Sequence, residues 1–131
     1  MSGYTRQVRE FTRACHDHLP ERPKSLSPEQ VAFITRMVND ELEELAEAKT
    51  VTEQADALVD AIYYICDSAV RHGMDLDPLF AIVHQANMGK VVNGKVIRRE
   101  DGKILKPAGW RDPKPLLEAE TARQERDGSW S

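Results

Sequence analysis

Two consecutive stretches with apolar residues at helical spacing constrain the fold of this chain more than any other feature. The first follows Ser27-Pro28-Glu29-Gln30, a helix start with an N-cap serine, a proline in the first turn and a capping-box glutamine, and runs to about Lys49. The second begins after Thr50 or Thr52 and stops at His72-Gly73. Because only a few residues separate them, the two helices should pair antiparallel.

Weaker patterns flank this pair. Residues 4–18 predict an earlier helix, and Asp77-Pro78 begins a later one that ends near Gly89. Asn93-Gly94 lies between two short apolar runs and predicts a hairpin with a type I′ turn. The polar tail beyond Pro115 is expected to fray, apart from a short helix at 115–126.

These patterns predict an all-α fold of four to five helices, with a short irregular or β-hairpin segment near residues 91–105. We expect a single domain over residues 1–115 and a polar C-terminal tail over residues 116–131.

Composition and charge narrow the function classes. The net charge of −4 argues against stable nucleic-acid binding. Neither a signal peptide nor an apolar run of about 20 residues is present, so we expect a cytoplasmic protein without a membrane span. Cys15 and Cys66 lack metal-ligand spacing, and Cys66 falls on an apolar helical face as a reduced core thiol.

The charges are unevenly distributed along the chain. Residues 36–60 carry eight acidic residues against two basic ones, whereas residues 90–114 carry eight basic residues against three acidic ones. Basic side chains in irregular or hairpin structure are suited to neutralise phosphate oxygens. A soluble, charged hairpin would show the same composition.

Four of the acids flank the apolar stripes of the two paired helices. A turn centred on about residue 50 places Glu44 opposite Asp56 and Glu41 opposite Asp60. Like charges at such an interface repel unless cations neutralise them, and oxygen-only ligands suit Mg²⁺ or Mn²⁺. The same projection turns Asp40, Glu43 and Glu47 toward solvent. The alternative for all of these acids is an ordinary solvated helix face.

The sequence around these acids resembles the all-α nucleoside triphosphate pyrophosphohydrolases, which comprise the MazG-like and phosphoribosyl-ATP pyrophosphohydrolase-like proteins. The resemblance covers roughly residues 6–115 and is carried by residues 36–45 and by residues 56–64. Residues 83–90, Asp101-Gly102-Lys103-Ile104-Leu105-Lys106-Pro107 and Val8-Arg9-Glu10-Phe11 are similar to the Cof-like branch.

The family motifs are EExxE on one helix and ExxD on the next. Asp40 stands at the first glutamate position of EExxE. The second motif has two registers: Glu53-x-x-Asp56 matches it literally, whereas aligning Asp60 with the family aspartate places Ala57 at the glutamate position and leaves Asp56 as its substitute.

The resemblance implies a Mg²⁺-dependent enzyme that cleaves a nucleoside triphosphate to a monophosphate and pyrophosphate. It implies metal ligands at Glu41, Glu44, Asp56 and Asp60, with Glu53 as a further candidate, and a water-activating role for Glu41 by its motif position. The outgoing pyrophosphate would meet Lys90, Lys103 and Lys106, and the nucleoside would meet Phe11, Asn87 and Asp67. Family members complete a four-helix bundle by dimerising, which implies a homodimer or a dimer of dimers.

Two other functions compete with this prediction. One is hydrolysis of phosphoribosyl-ATP, against which the similarity of residues 103–107 to the Cof-like branch argues. The other is a non-catalytic helical module that binds nucleotides or oligomerises, which Ala57 in the second motif keeps open.

Overall fold

The computed structural model describes residues 3–131, so residues 1 and 2 of the predicted domain lie outside it. The chain is mainly helical, as predicted, with one two-stranded antiparallel sheet. The elements are α1 (Tyr4–Cys15), α2 (Pro28–Glu47), α3 (Val51–Arg71), α4 (Leu76–Met88), β1 (Val91–Val92), β2 (Lys95–Val96) and α5 (Lys114–Asp127).

The two central helices begin where the capping residues predict. The Ser27 hydroxyl accepts a hydrogen bond from the Gln30 backbone N–H, and the Gln30 side chain accepts one from the Ser27 N–H. Thr50, rather than Thr52, caps α3 through a hydrogen bond from the Glu53 N–H. The first helix is shorter than predicted, because the extended backbone of His16 ends α1 at Cys15.

Helix α3 is the centre of the packing, with α2 on one side and α1 on another. The core that α3 contributes includes Ala57, Ala61, Cys66 and Val70, and α1 adds Val8. Cys66 is a buried free thiol, as predicted, and burial raises its pKa. The apolar stripe of α2 is only partly covered, since Val31 and Leu42 remain about half exposed (49% and 47%).

The C-terminal segment is held more firmly than the sequence predicts. Helix α5 extends to Asp127, and both Gln124 and the following Ser129 are fully buried. The Ser129 backbone N–H donates to the Glu21 carbonyl oxygen, and its hydroxyl donates to the Gly73 carbonyl oxygen. The predicted helix at 115–126 is therefore present, and the expectation that the remainder of the tail frays is wrong. The domain boundary at residue 115 remains a prediction.

The segment after α4 forms the predicted hairpin. Val91 pairs with Val96 and Val92 with Lys95, and the turn between them has positive φ at Asn93 (53°) and Gly94 (79°). A second turn at Gly102 leads to a bridge between Arg98 and Ile104. None of the helices in residues 3–131 combines the length and apolar character needed to cross a membrane.

Candidate active site

The antiparallel pair of α2 and α3 brings the four predicted acids into one electrostatic neighbourhood, the acid cluster: Glu41, Glu44, Asp56 and Asp60. Glu44 lies one turn after Glu41 on α2, and Asp60 lies one turn after Asp56 on α3. The spacing therefore presents two carboxylates from each helix to the same region.

Glu41 is the one residue of α2 that is buried, with 8% of its surface exposed. Burial raises the pKa of Glu41, and a hydrogen bond with the Glu44 side chain and the charges of Glu44, Asp60 and Asp56 raise it further. Its Oε2 atom is buried without a hydrogen-bond partner. A charged group in this position is costly unless a proton, a cation or a polar ligand compensates it.

Asp60 is half-buried, and burial raises its pKa, with further contributions from Asp56 and Glu44. Glu44 and Asp56 are exposed. The acids that the projection turned outward, Asp40, Glu43 and Glu47, are also exposed and appear among none of the charges that act on Glu41.

The acid cluster supplies donors of the kind that Mg²⁺ or Mn²⁺ binds, because all four side chains offer carboxylate oxygen only. Within residues 3–131, however, no three His, Cys, Asp or Glu side chains already have a grouping that could hold a metal ion. The orphaned Glu41 Oε2 marks a place where a cation would satisfy a buried acceptor. The donor chemistry thus fits such an ion, and binding would have to draw the carboxylates together.

Glu53 is engaged in local structure at the start of α3. Its Oε1 atom accepts hydrogen bonds from the Lys49 backbone N–H (3.3 Å) and from the Thr50 hydroxyl (3.1 Å). Glu53 is also exposed and does not act on Glu41. These contacts explain Glu53 as a cap of α3 and favour the register that pairs Asp56 with Asp60.

A cavity of about 360 Å³, the aromatic pocket, opens beside the acid cluster. It is lined by Glu41 and Asp60 together with Phe11, Cys15, Tyr63, Tyr64, Asp67 and Arg71. The rings of Phe11 and Tyr63 meet edge to face, with centroids 6.1 Å apart. The structure therefore places Phe11 and Asp67, both predicted to meet the nucleoside, in the same cavity as two predicted metal ligands.

Both carboxylate oxygens of Asp67 accept hydrogen bonds. The buried Thr12 hydroxyl donates to Oδ1 and the Arg71 Nε–H donates to Oδ2, each at 2.8 Å. Tyr63, Tyr64 and Arg71 also line the pocket, although they are not among the site residues predicted from the sequence. Their positions three, four and eleven residues after Asp60 put them on the same side of α3, and this spacing was the available signal.

The remaining predicted residues lie elsewhere on the chain. Neither Asn87 nor any of Lys90, Lys103 and Lys106 lines the aromatic pocket. Lys90 Nζ donates to Asn87 Oδ1 at the end of α4 (3.3 Å), and Lys103 is exposed at the second turn, where its backbone N–H donates to Asp101. The contacts of Lys90 and Lys103 are therefore with the end of α4 and with the second turn, not with the aromatic pocket.

Comparison of the sequence with known protein families finds a match. Residues 8–87 match the model of the family described as phosphoribosyl-ATP pyrophosphohydrolase. The match covers 80 of the 131 residues and includes the acid cluster and the aromatic pocket, whereas the three lysines lie beyond it. No curated protein matches the chain.

Proposed function

Because the chain belongs to the phosphoribosyl-ATP pyrophosphohydrolase family, a group of hydrolases that act on acid anhydrides, we propose that it cleaves a nucleoside triphosphate between the α- and β-phosphates. The products would be a nucleoside monophosphate and pyrophosphate. The observation that carries this proposal is the buried carboxylate of Glu41, whose Oε2 atom has no hydrogen-bond partner and which lines an aromatic pocket. Catalytic carboxylates are held in such desolvated sites, where their pKa is perturbed.

The acid cluster would hold Mg²⁺, with Mn²⁺ as a substitute, through Glu41, Glu44, Asp56 and Asp60. Glu53 is less suited to this role, since its carboxylate already accepts two hydrogen bonds at the start of α3. When bound, the ion would neutralise phosphate oxygens and lower the pKa of a coordinated water. The mutual repulsion of the four carboxylates supports this assignment, because a cation relieves it.

Glu41 would orient the attacking water and accept its proton. In the chain without metal, burial and neighbouring carboxylates raise the pKa of Glu41, so this side chain is one that can take up a proton. The water oxygen bonds to the α-phosphorus while the bond from that phosphorus to the bridging oxygen breaks. Pyrophosphate leaves with the bridging oxygen, and the proton lost by the water passes to Glu41.

The nucleoside would enter the aromatic pocket, where Phe11 and Tyr63 offer ring surface and the Asp67–Arg71 pair offers polar atoms. Lys90, Lys103 and Lys106 would neutralise the outgoing pyrophosphate, and Asn87 would contact the ligand beside Lys90. Ammonium groups bind phosphate as compact point charges, and their positions in or near the hairpin leave them accessible.

We also propose that the chain works as a homodimer or a dimer of dimers. Large apolar side chains on α2 and α3 remain substantially exposed, among them Phe33, Leu42, Leu58, Ile62 and Ile65. Exposed apolar side chains of this size favour association with a second helix pair.

A second candidate substrate is phosphoribosyl-ATP, which the description of the matched family favours. The chemistry at the α-phosphorus would be the same, and only the group attached to the base would differ. Because the match ends before Lys90, it does not cover the segment that distinguishes the two predictions.

One experiment separates these candidates. The protein is incubated with Mg²⁺ and a panel of ribo- and deoxynucleoside triphosphates and phosphoribosyl-ATP, and pyrophosphate release is measured. We expect release from at least one nucleoside triphosphate. Release from phosphoribosyl-ATP alone would select the second candidate, and release from none would favour a non-catalytic nucleotide-binding module.

A further inference from the structure

The two lysines that flank the hairpin converge on a single aromatic ring. Lys90 Nζ lies 5.4 Å and Lys106 Nζ 4.7 Å from the ring centroid of Trp110. Both distances are within the range in which an ammonium group is attracted to the negative face of an indole. Trp110 thus contacts two cationic groups that are 16 residues apart in sequence.

The indole ring is itself fixed against α4. Its Nε1–H donates to the carbonyl oxygen of Ala86 at 2.7 Å. A Cβ atom at Gly89 would lie 3.3 Å from the Trp110 Cδ1 atom, so the glycine leaves the space that the ring occupies. Since φ at Gly89 is −64°, the backbone does not require glycine there, and the physical reason for it is the close approach of the ring together with the Ala86 carbonyl oxygen, which would also lie 3.3 Å from the Cβ.

Two ammonium groups near one ring would separate in water, because their charges repel and their four-carbon stems are flexible. Attraction to the indole offsets this repulsion and restricts both stems before any ligand binds. An anion with several charges then gains two contacts at a smaller cost in side-chain entropy than free lysines would require. The Asn87 oxygen, which accepts from Lys90 Nζ, restricts one stem further.

We propose that Trp110 is a positioning residue that preorganises Lys90 and Lys106 as a binding site for the pyrophosphate part of the substrate. The inference rests on the proposed function, in which these lysines receive that group. Trp110 itself touches no reacting atom. It acts through the two lysines, and a ligand that carries only one phosphate gains less from having both of them held together.

The test measures binding of inorganic pyrophosphate and of orthophosphate by calorimetry in magnesium-free buffer, where the acid cluster would repel the anions. Trp110→Leu removes the ring, whereas Trp110→Phe keeps an aromatic face and loses the N–H. We expect Trp110→Leu to weaken pyrophosphate binding about five- to thirtyfold, Trp110→Phe to restore most of it, and orthophosphate binding to change little. The double variant Trp110→Leu/Lys106→Met should lose less pyrophosphate affinity than the product of the fold-losses of the two single variants, because both changes remove the same contact.

The second tryptophan of the chain provides a matched control. Trp130 also lies under two cations, with Arg6 and Arg9 at 5.8 and 4.6 Å from its ring centroid, but these belong to α1. Trp130→Leu should leave pyrophosphate binding unchanged. Thermal melting of every variant detects loss of folding, and in that event Trp110→Phe and the single Lys106→Met variant still test the proposal.

Unchanged pyrophosphate binding in Trp110→Leu, or equal weakening by Trp110→Leu and Trp130→Leu, would overturn the inference. Its failure is distinguishable from failure of the proposed function. If no nucleotide releases pyrophosphate but the ring still controls pyrophosphate affinity, the binding site stands and the hydrolysis does not. If nucleotides are cleaved and the ring has no effect on kcat, KM or pyrophosphate affinity, the hydrolysis stands and the site does not.

Discussion

Glu41 occupies the buried position of α2, where an apolar side chain would be expected, and it carries a carboxylate there. A buried carboxylate without a full set of partners costs stability, and that cost is accepted where the group has a function. Glu43, two residues further along the same helix, is exposed. The two glutamates therefore provide a matched pair for mutation.

We predict that Glu41→Gln lowers the rate of pyrophosphate release by about 10²–10⁴-fold, because the amide cannot accept the proton of the attacking water. Glu44→Gln, Asp56→Asn and Asp60→Asn should also remove most of the activity, since each takes a charge from the acid cluster. Glu43→Gln and Glu47→Gln should have little effect. Circular dichroism checks that the helices are retained, and equal losses at Glu43 and Glu41 would contradict the assignment.

Glu53→Gln tests which register the second motif uses. The oxygen of a glutamine can still accept the hydrogen bonds from Lys49 and Thr50, so the start of α3 should be preserved. We expect a small change in kcat/KM, within about threefold of the wild-type value. A loss as large as that of Asp56→Asn would place Glu53 among the metal ligands and select the Glu53-x-x-Asp56 register.

At the residue scale, helical periodicity was enough to bring the four acids together. It could not predict Trp110, whose importance depends on Lys90 and Lys106 reaching one ring through tertiary structure. Spacing after Asp60 places Tyr64 and Arg71 on the same side of α3, but the cavity that they line also requires α1 to pack against α3.

Among the elements, α5 forms where the sequence predicts a short helix, but its anchoring to the rest of the fold is not predicted. The sequence of this segment is polar and lacks an apolar stripe, which would otherwise hold such a helix in place. The structure anchors it through a polar side chain instead: Gln124 accepts from the Asp75 N–H (3.0 Å) and donates to the Asp75 carbonyl oxygen (2.9 Å). A buried amide that pairs with a backbone 49 residues away leaves no signal in hydrophobic periodicity.

We predict that Gln124→Ala lowers the free energy of unfolding by about 2–4 kcal/mol, because it leaves a buried N–H and a buried carbonyl of Asp75 without partners. Glu125→Ala, at an exposed position of the same helix, is the control and should change stability by less than about 0.5 kcal/mol. Urea unfolding of both variants measures the difference, and similar values would show that α5 is not anchored at Gln124.

The elements with local start signals were predicted most accurately. Ser27 and Gln30 fix the beginning of α2, and Asn93-Gly94 fixes the hairpin, because each signal involves only residues close in sequence. The early end of α1 has no such signal, because neither glycine nor proline stands at Cys15 or His16, where the backbone becomes extended.

At the scale of the whole molecule, the acid cluster couples stability to metal binding. Repulsion among the four carboxylates opposes the pairing of α2 and α3, and a cation that binds only the folded chain shifts the folding equilibrium. We predict that Mg²⁺ or Mn²⁺ at ten times its dissociation constant raises the melting temperature by about 4–8 °C. Asp60→Asn should reduce this rise, and a wild-type melting curve unaffected by millimolar metal, with and without nucleotide, would argue against a metal site.

In the proposed reaction, water attacks the α-phosphorus of a nucleoside triphosphate with the help of Glu41. Hydrolysis in water enriched in ¹⁸O, followed by mass spectrometry of the products, is the most direct test. We predict one labelled oxygen in the nucleoside monophosphate, unlabelled pyrophosphate, and near-complete loss of turnover in Glu41→Gln but not in Glu43→Gln. Label in the pyrophosphate or in orthophosphate, or full turnover in Glu41→Gln, would contradict it.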